Sequence, residues 1–165
     1  MNAAPDRTTA RLRAGLLGLA ALGVVGTAVE LATIRHWDSL EQLVPWFVLG
    51  LLGLGIGLVA ARPSAATVGV ARVLAAVSVV GGGFGVVEHV LENLDAGPLD
   101  RIYGARWDSM SSLGHLWAAV NGAVGPAPLL APGVLAFIGL CLGLGTVGLR
   151  PIPREPVPSG SWPAS

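Results

Sequence analysis

Val44-Pro45-Trp46-Phe47-Val48-Leu49-Gly50-Leu51-Leu52-Gly53-Leu54-Gly55-Ile56-Gly57-Leu58-Val59-Ala60-Ala61 carries no charge and stops at Arg62-Pro63. A helix needs about 20 mostly apolar residues to cross a hydrocarbon layer roughly 30 Å thick. Three further stretches qualify, at 14–34, 67–91 and 129–149. Isolated strands cannot satisfy their backbone groups in lipid, so each stretch is expected to be helical. The fold class expected is an all-α membrane protein with four transmembrane helices, arranged as two similar hairpins in parallel internal repeat.

Composition agrees. Of 165 residues, 53% are hydrophobic and 12% charged, against roughly 25% charged in an ordinary soluble domain. All ten basic residues are Arg, a bias that suits a bacterial chain from a GC-rich genome. Net charge is zero, so nothing points to nucleic acid. Cys141 stands alone, which excludes an internal disulfide and a multi-cysteine metal site. In an apolar span it reads as an inert packing residue.

Arginine placement sets the expected orientation. With four spans, Arg7, Arg11, Arg13, Arg62, Arg72, Arg150 and Arg154 share one side, and Arg35, Arg101 and Arg106 the other. The protein is therefore expected in the plasma (inner) membrane with both termini cytoplasmic. Residues 1–13 form a cytoplasmic segment, 14–150 the membrane domain, and the Pro-rich 151–165 a disordered cytoplasmic tail. Arg72, just inside the third span, can snorkel back to the interface. A rival reading takes residues 1–28 as a signal peptide, but the apolar run is long for one.

The same assignment gathers Glu30, Asp38, Glu41, Glu88, Glu92, Asp95, Asp100 and Asp108 on the outer side, with His36, His89 and His115. Trp37, Trp46, Trp107 and Trp117 fall there too and read as interfacial anchors, where an amphipathic ring is favoured.

Self-similarity supports a duplication. Arg35-His36-Trp37-Asp38-Ser39-Leu40 in the first half matches Arg106-Trp107-Asp108-Ser109-Met110 in the second. Glu30 or Glu88 precedes each motif, and a Trp and a Pro follow it, Trp46 with Pro45 in the first half and Trp117 with Pro132 in the second. Gly53-Leu54-Gly55-Ile56-Gly57-Leu58 then corresponds to Gly139-Leu140-Cys141-Leu142-Gly143-Leu144. The second half carries an insertion near 94–126. Within it, a short helix near 108–120, capped by Asp108 or Ser109, would lie on the outer leaflet through Met110, Leu113, Trp117 and Val120.

Small residues three or four apart let helix backbones approach closely in lipid. Gly53, Gly57, Gly81, Gly85, Gly139 and Gly143 are the expected packing positions, with Gly23 and Gly26 on the first helix. Glu30 and Glu88 stand about one turn inside the outer end, roughly 5–8 Å deep at 1.5 Å per residue. If the halves pack about a pseudo-twofold axis, these two carboxylates would face each other. His89 and Glu92, three apart, can meet.

An ionisable group within a span is costly and usually faces the bundle interior or a water-filled cavity. Glu30, Glu88, His89 and Glu92, with His36 or His115, are the candidates for binding a cation or proton. The same set could ligate a divalent metal, although the doubled Glu-x-x-His pattern of di-iron bundles is missing. Haem held by two His is a further alternative. The serines near His36 and His115 form no recognisable nucleophile motif. No catalytic residue is assigned. The expectation is a small accessory or transport-type protein with an outer-facing Glu/His cluster. The alternatives are a metal- or haem-dependent redox enzyme and a structural subunit. Expected partners are the lipid bilayer and a membrane protein or a second copy of the chain.

Overall fold

In the computed structural model, which describes residues 7–149, every regular element among the described residues is helical. Helix α1 covers Arg7–Thr33, α2 Leu40–Ala61, α3 Ala65–Ala96, α4 Ser112–Val120 and α5 Leu130–Gly145. Helices α1, α2 and α3 are long and apolar enough to cross a membrane. Helix α5 is apolar but has 16 residues, about 24 Å at 1.5 Å per residue. The expected tail at 151–165 lies outside the described residues.

Local chemistry sets the boundaries. Ser39 accepts the Gln42 amide at the start of α2, and the Asp38 amide donates to Gln42 Oε1 at 2.7 Å. At the next turn, Ser64 Oγ accepts the Thr67 amide at 3.1 Å and Thr67 Oγ1 accepts the Ser64 amide at 2.8 Å. This reciprocal box starts α3 directly after Arg62-Pro63. α5 ends at Thr146, where Arg72 Nη2 donates to the Thr146 carbonyl at 3.0 Å and Nε to its hydroxyl at 3.2 Å. Arg13 Nη2 donates to the Val147 carbonyl at 3.2 Å. Cations from α1 and α3 thus meet the free carbonyls at the negative end of the α5 dipole. Arg72 itself is exposed, and its guanidinium reaches along the bundle to the end of α5.

Around the bundle the neighbours run α1, α5, α3, α2 and back to α1, and α5 also touches α2 across the middle. One core joins all four long helices through Ala20, Leu49, Leu52, Ala71, Ala75, Ile138 and Leu142. Cys141 is buried among them. The closest approach is between α3 and α5. Ala71, Ala75, Ser78, Gly82 and Gly85 step by four and three along α3, and face Pro132, Ala136, Gly139 and Gly143. A Cβ on Gly82 would stand 2.6 Å from the Pro132 carbonyl oxygen, and one on Gly139 2.8 Å from that of Ala75. Only hydrogen fits there.

Of the expected packing glycines, Gly85 and Gly139 are crowded, Gly143 makes an ordinary contact with Ala75, and Gly53 just reaches Val24. Gly57 and Gly81 face open space. The α3 seam is turned by one residue, to Gly82, because Ser78 and Ala75 continue it toward α5.

The insertion folds into a cap on the far end of α3. Trp107 is 8% exposed and packs with Ala118, Ala119 and Val124, its ring lying against Gly97. Trp107 is therefore a core residue of the cap and not an interfacial anchor, whereas Trp37 and Trp117 are exposed. Trp107-Asp108-Ser109 lies in a 3-10 segment, Gly104–Ser109. The cap of α4 is Ser111, not Asp108 or Ser109, and the Ser109 hydroxyl donates to the Arg106 carbonyl at 2.7 Å. Asp100 Oδ1 accepts the Ile102 and Tyr103 amides at 2.8 Å. Those two donors hold its carboxyl below the ordinary carboxylate range. The Arg106 guanidinium lies 4.4 Å from the Tyr103 ring centre. Leu113, Leu116 and Trp117 of α4 remain exposed.

Candidate functional site

α3 runs to Ala96, well past the start of α5 at Leu130. Its last turns carry His89, Glu92 and Asn93. Asn93 is fully buried and acts as a clamp. Its Nδ2 donates to the Ala119 carbonyl at 3.2 Å and the Ala127 carbonyl at 3.0 Å, and its Oδ1 accepts the Ala127 amide at 2.9 Å. Every hydrogen-bonding group of the side chain is thereby used or shared. The connection 121–129 is folded back over α3 by these bonds. Gly125, at φ 78°, is required where the chain passes Asn93, since a Cβ there would overlap the Asn93 side chain.

The clamp sets the next residue in place. Pro128 presents its carbonyl to His89 Nδ1 at 2.9 Å. A carbonyl only accepts, so Nδ1 carries the hydrogen, and Nε2 is the ring nitrogen left over. His89 thus bonds to Pro128 rather than to Glu92.

Between α1, α2, α3 and the start of α5 lies a cavity of about 540 Å³. Its rim carries Glu30 and His36 from the first helix and the turn after it, Glu41 from α2, and His89 and Glu92 from α3. Its wall is Gly81, Gly82 and Gly85 opposite Leu31, Pro45 and Val48. Deeper down it reaches Thr27, Val77 and Ser78. Below that level, Leu52, Ala71, Ile138 and Leu142 close the bundle. The cavity is amphipathic: carboxylates and imidazoles at one end, apolar surface and two hydroxyls at the other.

Six residues were expected to form the polar cluster. Glu30, His36, His89 and Glu92 are brought to this one cavity, whereas Glu88 and His115 are not among its lining residues. Glu88 is exposed. α1 and α3 are not neighbours in the ring, and Glu30 shares the cavity lining with His89 and Glu92. His115 belongs to the cap: its Nε2 donates to the Trp107 carbonyl at 2.7 Å and its ring stacks on Trp107 at 4.2 Å. Near the rim, Trp46 Nε1 donates to the His36 carbonyl at 2.7 Å, which fixes the turn bearing His36.

Glu41 and Pro128 enter the site, and Asn93 supports it from behind, without having been expected there. Glu41 was legible as an outer acid, but nothing in its local sequence links it to α3. Among the described residues, no three His, Cys, Asp or Glu side chains come close enough to hold a metal ion. The serines near histidine are committed elsewhere, Ser39 and Ser111 to helix caps and Ser109 to a carbonyl. Compared with known protein families, characterised proteins and solved structures, the chain matches none.

Proposed function

We propose that the chain is a four-span plasma-membrane protein with both termini cytoplasmic, and that it binds a small ligand in an outward-facing cavity as an accessory or transport-type protein. One observation carries this reading. The cavity takes Glu30, His36 and Glu41 from the first hairpin and His89 and Glu92 from the second. Ligand sites in membrane proteins commonly sit between halves that can move against each other, and about 540 Å³ falls within the size of a small-molecule pocket. The arginine bias supports the orientation. The shared core of α1, α2, α3 and α5 supports counting α5 as a span. The doubled Trp-Asp-Ser motif supports a duplication of the hairpin.

Cysteine labelling tests the cavity and its direction. In a Cys141→Ser background, Gly81→Cys places a thiol where a Cβ meets nothing within 4 Å, on the cavity wall. A membrane-impermeant maleimide should modify it in intact cells, and should reach Ala66→Cys only after permeabilisation. Labelling of Gly81→Cys from the cytoplasmic side alone, or from neither side, overturns the outward-facing cavity.

A further inference from the structure

The rim and depth of the cavity together define the chemistry of its occupant. Glu30, Glu41 and Glu92 contribute three carboxylates, and no arginine is among the lining residues. None of these three is paired with an arginine among the described residues. The Pro128 carbonyl takes the Nδ1 hydrogen of His89, which leaves Nε2 as the ring nitrogen for an occupant. The rim is rich in acceptors and negative charge, and it suits a head group that donates hydrogen bonds and carries positive charge.

Two observations extend the argument below the rim. Thr27 and Ser78 are 5% and 4% exposed, line the cavity, and have no hydrogen-bond partner for their hydroxyls among the described residues. Neither hydroxyl oxygen is sealed from the cavity, so both are open to hydrogen-bond with what fills it. The remaining deep surface, Leu31, Val48, Val77 and Leu135, is apolar. A bare inorganic cation would leave this volume empty, and the described residues offer it no three-ligand set.

We propose that the cavity binds a lipophilic organic ammonium ion, its amine at the rim that carries Glu30, Glu41 and Glu92 and its apolar body lying along the Gly81–Gly85 wall. This deepens the cavity reading above and rests on it. An ammonium offers donors and charge to the carboxylates, and charge-assisted hydrogen bonds of this kind are roughly twice as strong as neutral ones. A carboxylate or phosphate head would meet like charge.

The test uses the full-length protein in lipid nanodiscs at neutral pH, titrated with decylamine, decanol and decanoate, with protein-free nanodiscs as blank. Decylamine should bind saturably and about tenfold more tightly than decanol, with decanoate weakest, a tenfold ratio being about 1.4 kcal/mol. Glu30→Gln with Glu92→Gln should bring decylamine to within about twofold of decanol by removing the charge-assisted contacts, while Asp95→Asn, exposed outside the cavity, should change nothing. Gly81→Leu, with open space at its Cβ, should weaken every probe. Absence of saturable decylamine binding, decanoate binding as tight as decylamine, or an amine preference that survives the double Gln variant overturns the ammonium assignment. If Gly81→Leu still suppresses decanol binding in such a case, the cavity stands as a site for another class. Probe binding indifferent to Gly81→Leu removes the cavity reading as well.

Discussion

Asn93 illustrates how one buried amide can organise a site it does not touch. Its three hydrogen bonds tie α3 to the end of α4 and to the segment leading into α5. That segment carries Pro128, whose carbonyl orients His89. The polar group is fully buried and fully satisfied, a state in which losing one side of the network leaves the other side stranded. Asn93→Ala should therefore destabilise the protein by about 2–4 kcal/mol, from two carbonyls and one amide left without partners. Reversible unfolding in mixed micelles, titrated with a denaturing detergent, measures this. A change under about 0.5 kcal/mol, the level of an ordinary surface substitution, would refute the clamp. Asn93→Asp sets a carboxylate against the Ala119 and Ala127 carbonyls in a fully buried site and should destabilise at least as much as Asn93→Ala.

At the scale of elements, the seam between α3 and α5 is the place where volume decides stability. Gly82 faces backbone atoms of Pro132 and Ala136 that cannot move aside as a side-chain tip would. Gly82→Ala should cost about 1–3 kcal/mol, the usual range for overpacking a tight interface. Gly57→Ala, with nothing within 4 Å of the new methyl, should be neutral or slightly stabilising, since alanine is the better helix former. Thermal unfolding of both variants side by side checks the contrast, and equal shifts would mean the seam does not control packing. The three long helices were legible in the sequence because hydropathy over about 20 residues is insensitive to tertiary detail. The registry of the seam was not: small residues recur on two adjacent faces of α3, and the contact with α5 selects Gly82 over Gly81. The overshoot of α3 to Ala96 was missed because Glu88, His89 and Glu92 read as the membrane exit, yet no helix breaker occurs before Gly97-Pro98. The two Trp-Asp-Ser motifs look alike but have different surroundings. Ser39 starts a long helix, whereas Trp107 is enclosed by a cap that only the insertion creates. Four of the six expected polar residues meet in the cavity because they lie at the same end of their helices. Glu88 does not line it, and His115 is held in the cap by Trp107, a contact that only the folded insertion creates.

For the molecule as a whole, the decisive question is whether α5 completes the crossing. At about 24 Å, its 16 residues fall short of a roughly 30 Å hydrocarbon layer. A lone helix of that length would require local thinning of the bilayer or snorkelling at its ends. α5 is not alone. It packs against α3 and α1 and also touches α2, and its end is met by Arg72 and Arg13 from two different helices. Much of its surface contacts protein rather than lipid, with Ile138 and Leu142 fully buried, so mismatch with the bilayer matters less than for an exposed helix. Arg13 and Arg72 also fix direction: each lies in the first half of its own helix, so the end of α5 is drawn to the side where α1 and α3 begin. Fusions to a fluorescent protein that folds in the cytoplasm, and to a phosphatase active only outside it, should therefore give opposite answers at two points. Joined after Ser165, the fluorescent protein should glow and the phosphatase stay silent. Joined after Val124, within the cap, the phosphatase should be active and the fluorescent protein dark. Phosphatase activity at both points would leave three crossings and overturn the four-span reading, because it would put the end of α5 across the bilayer from the two arginines that bond Thr146 and Val147.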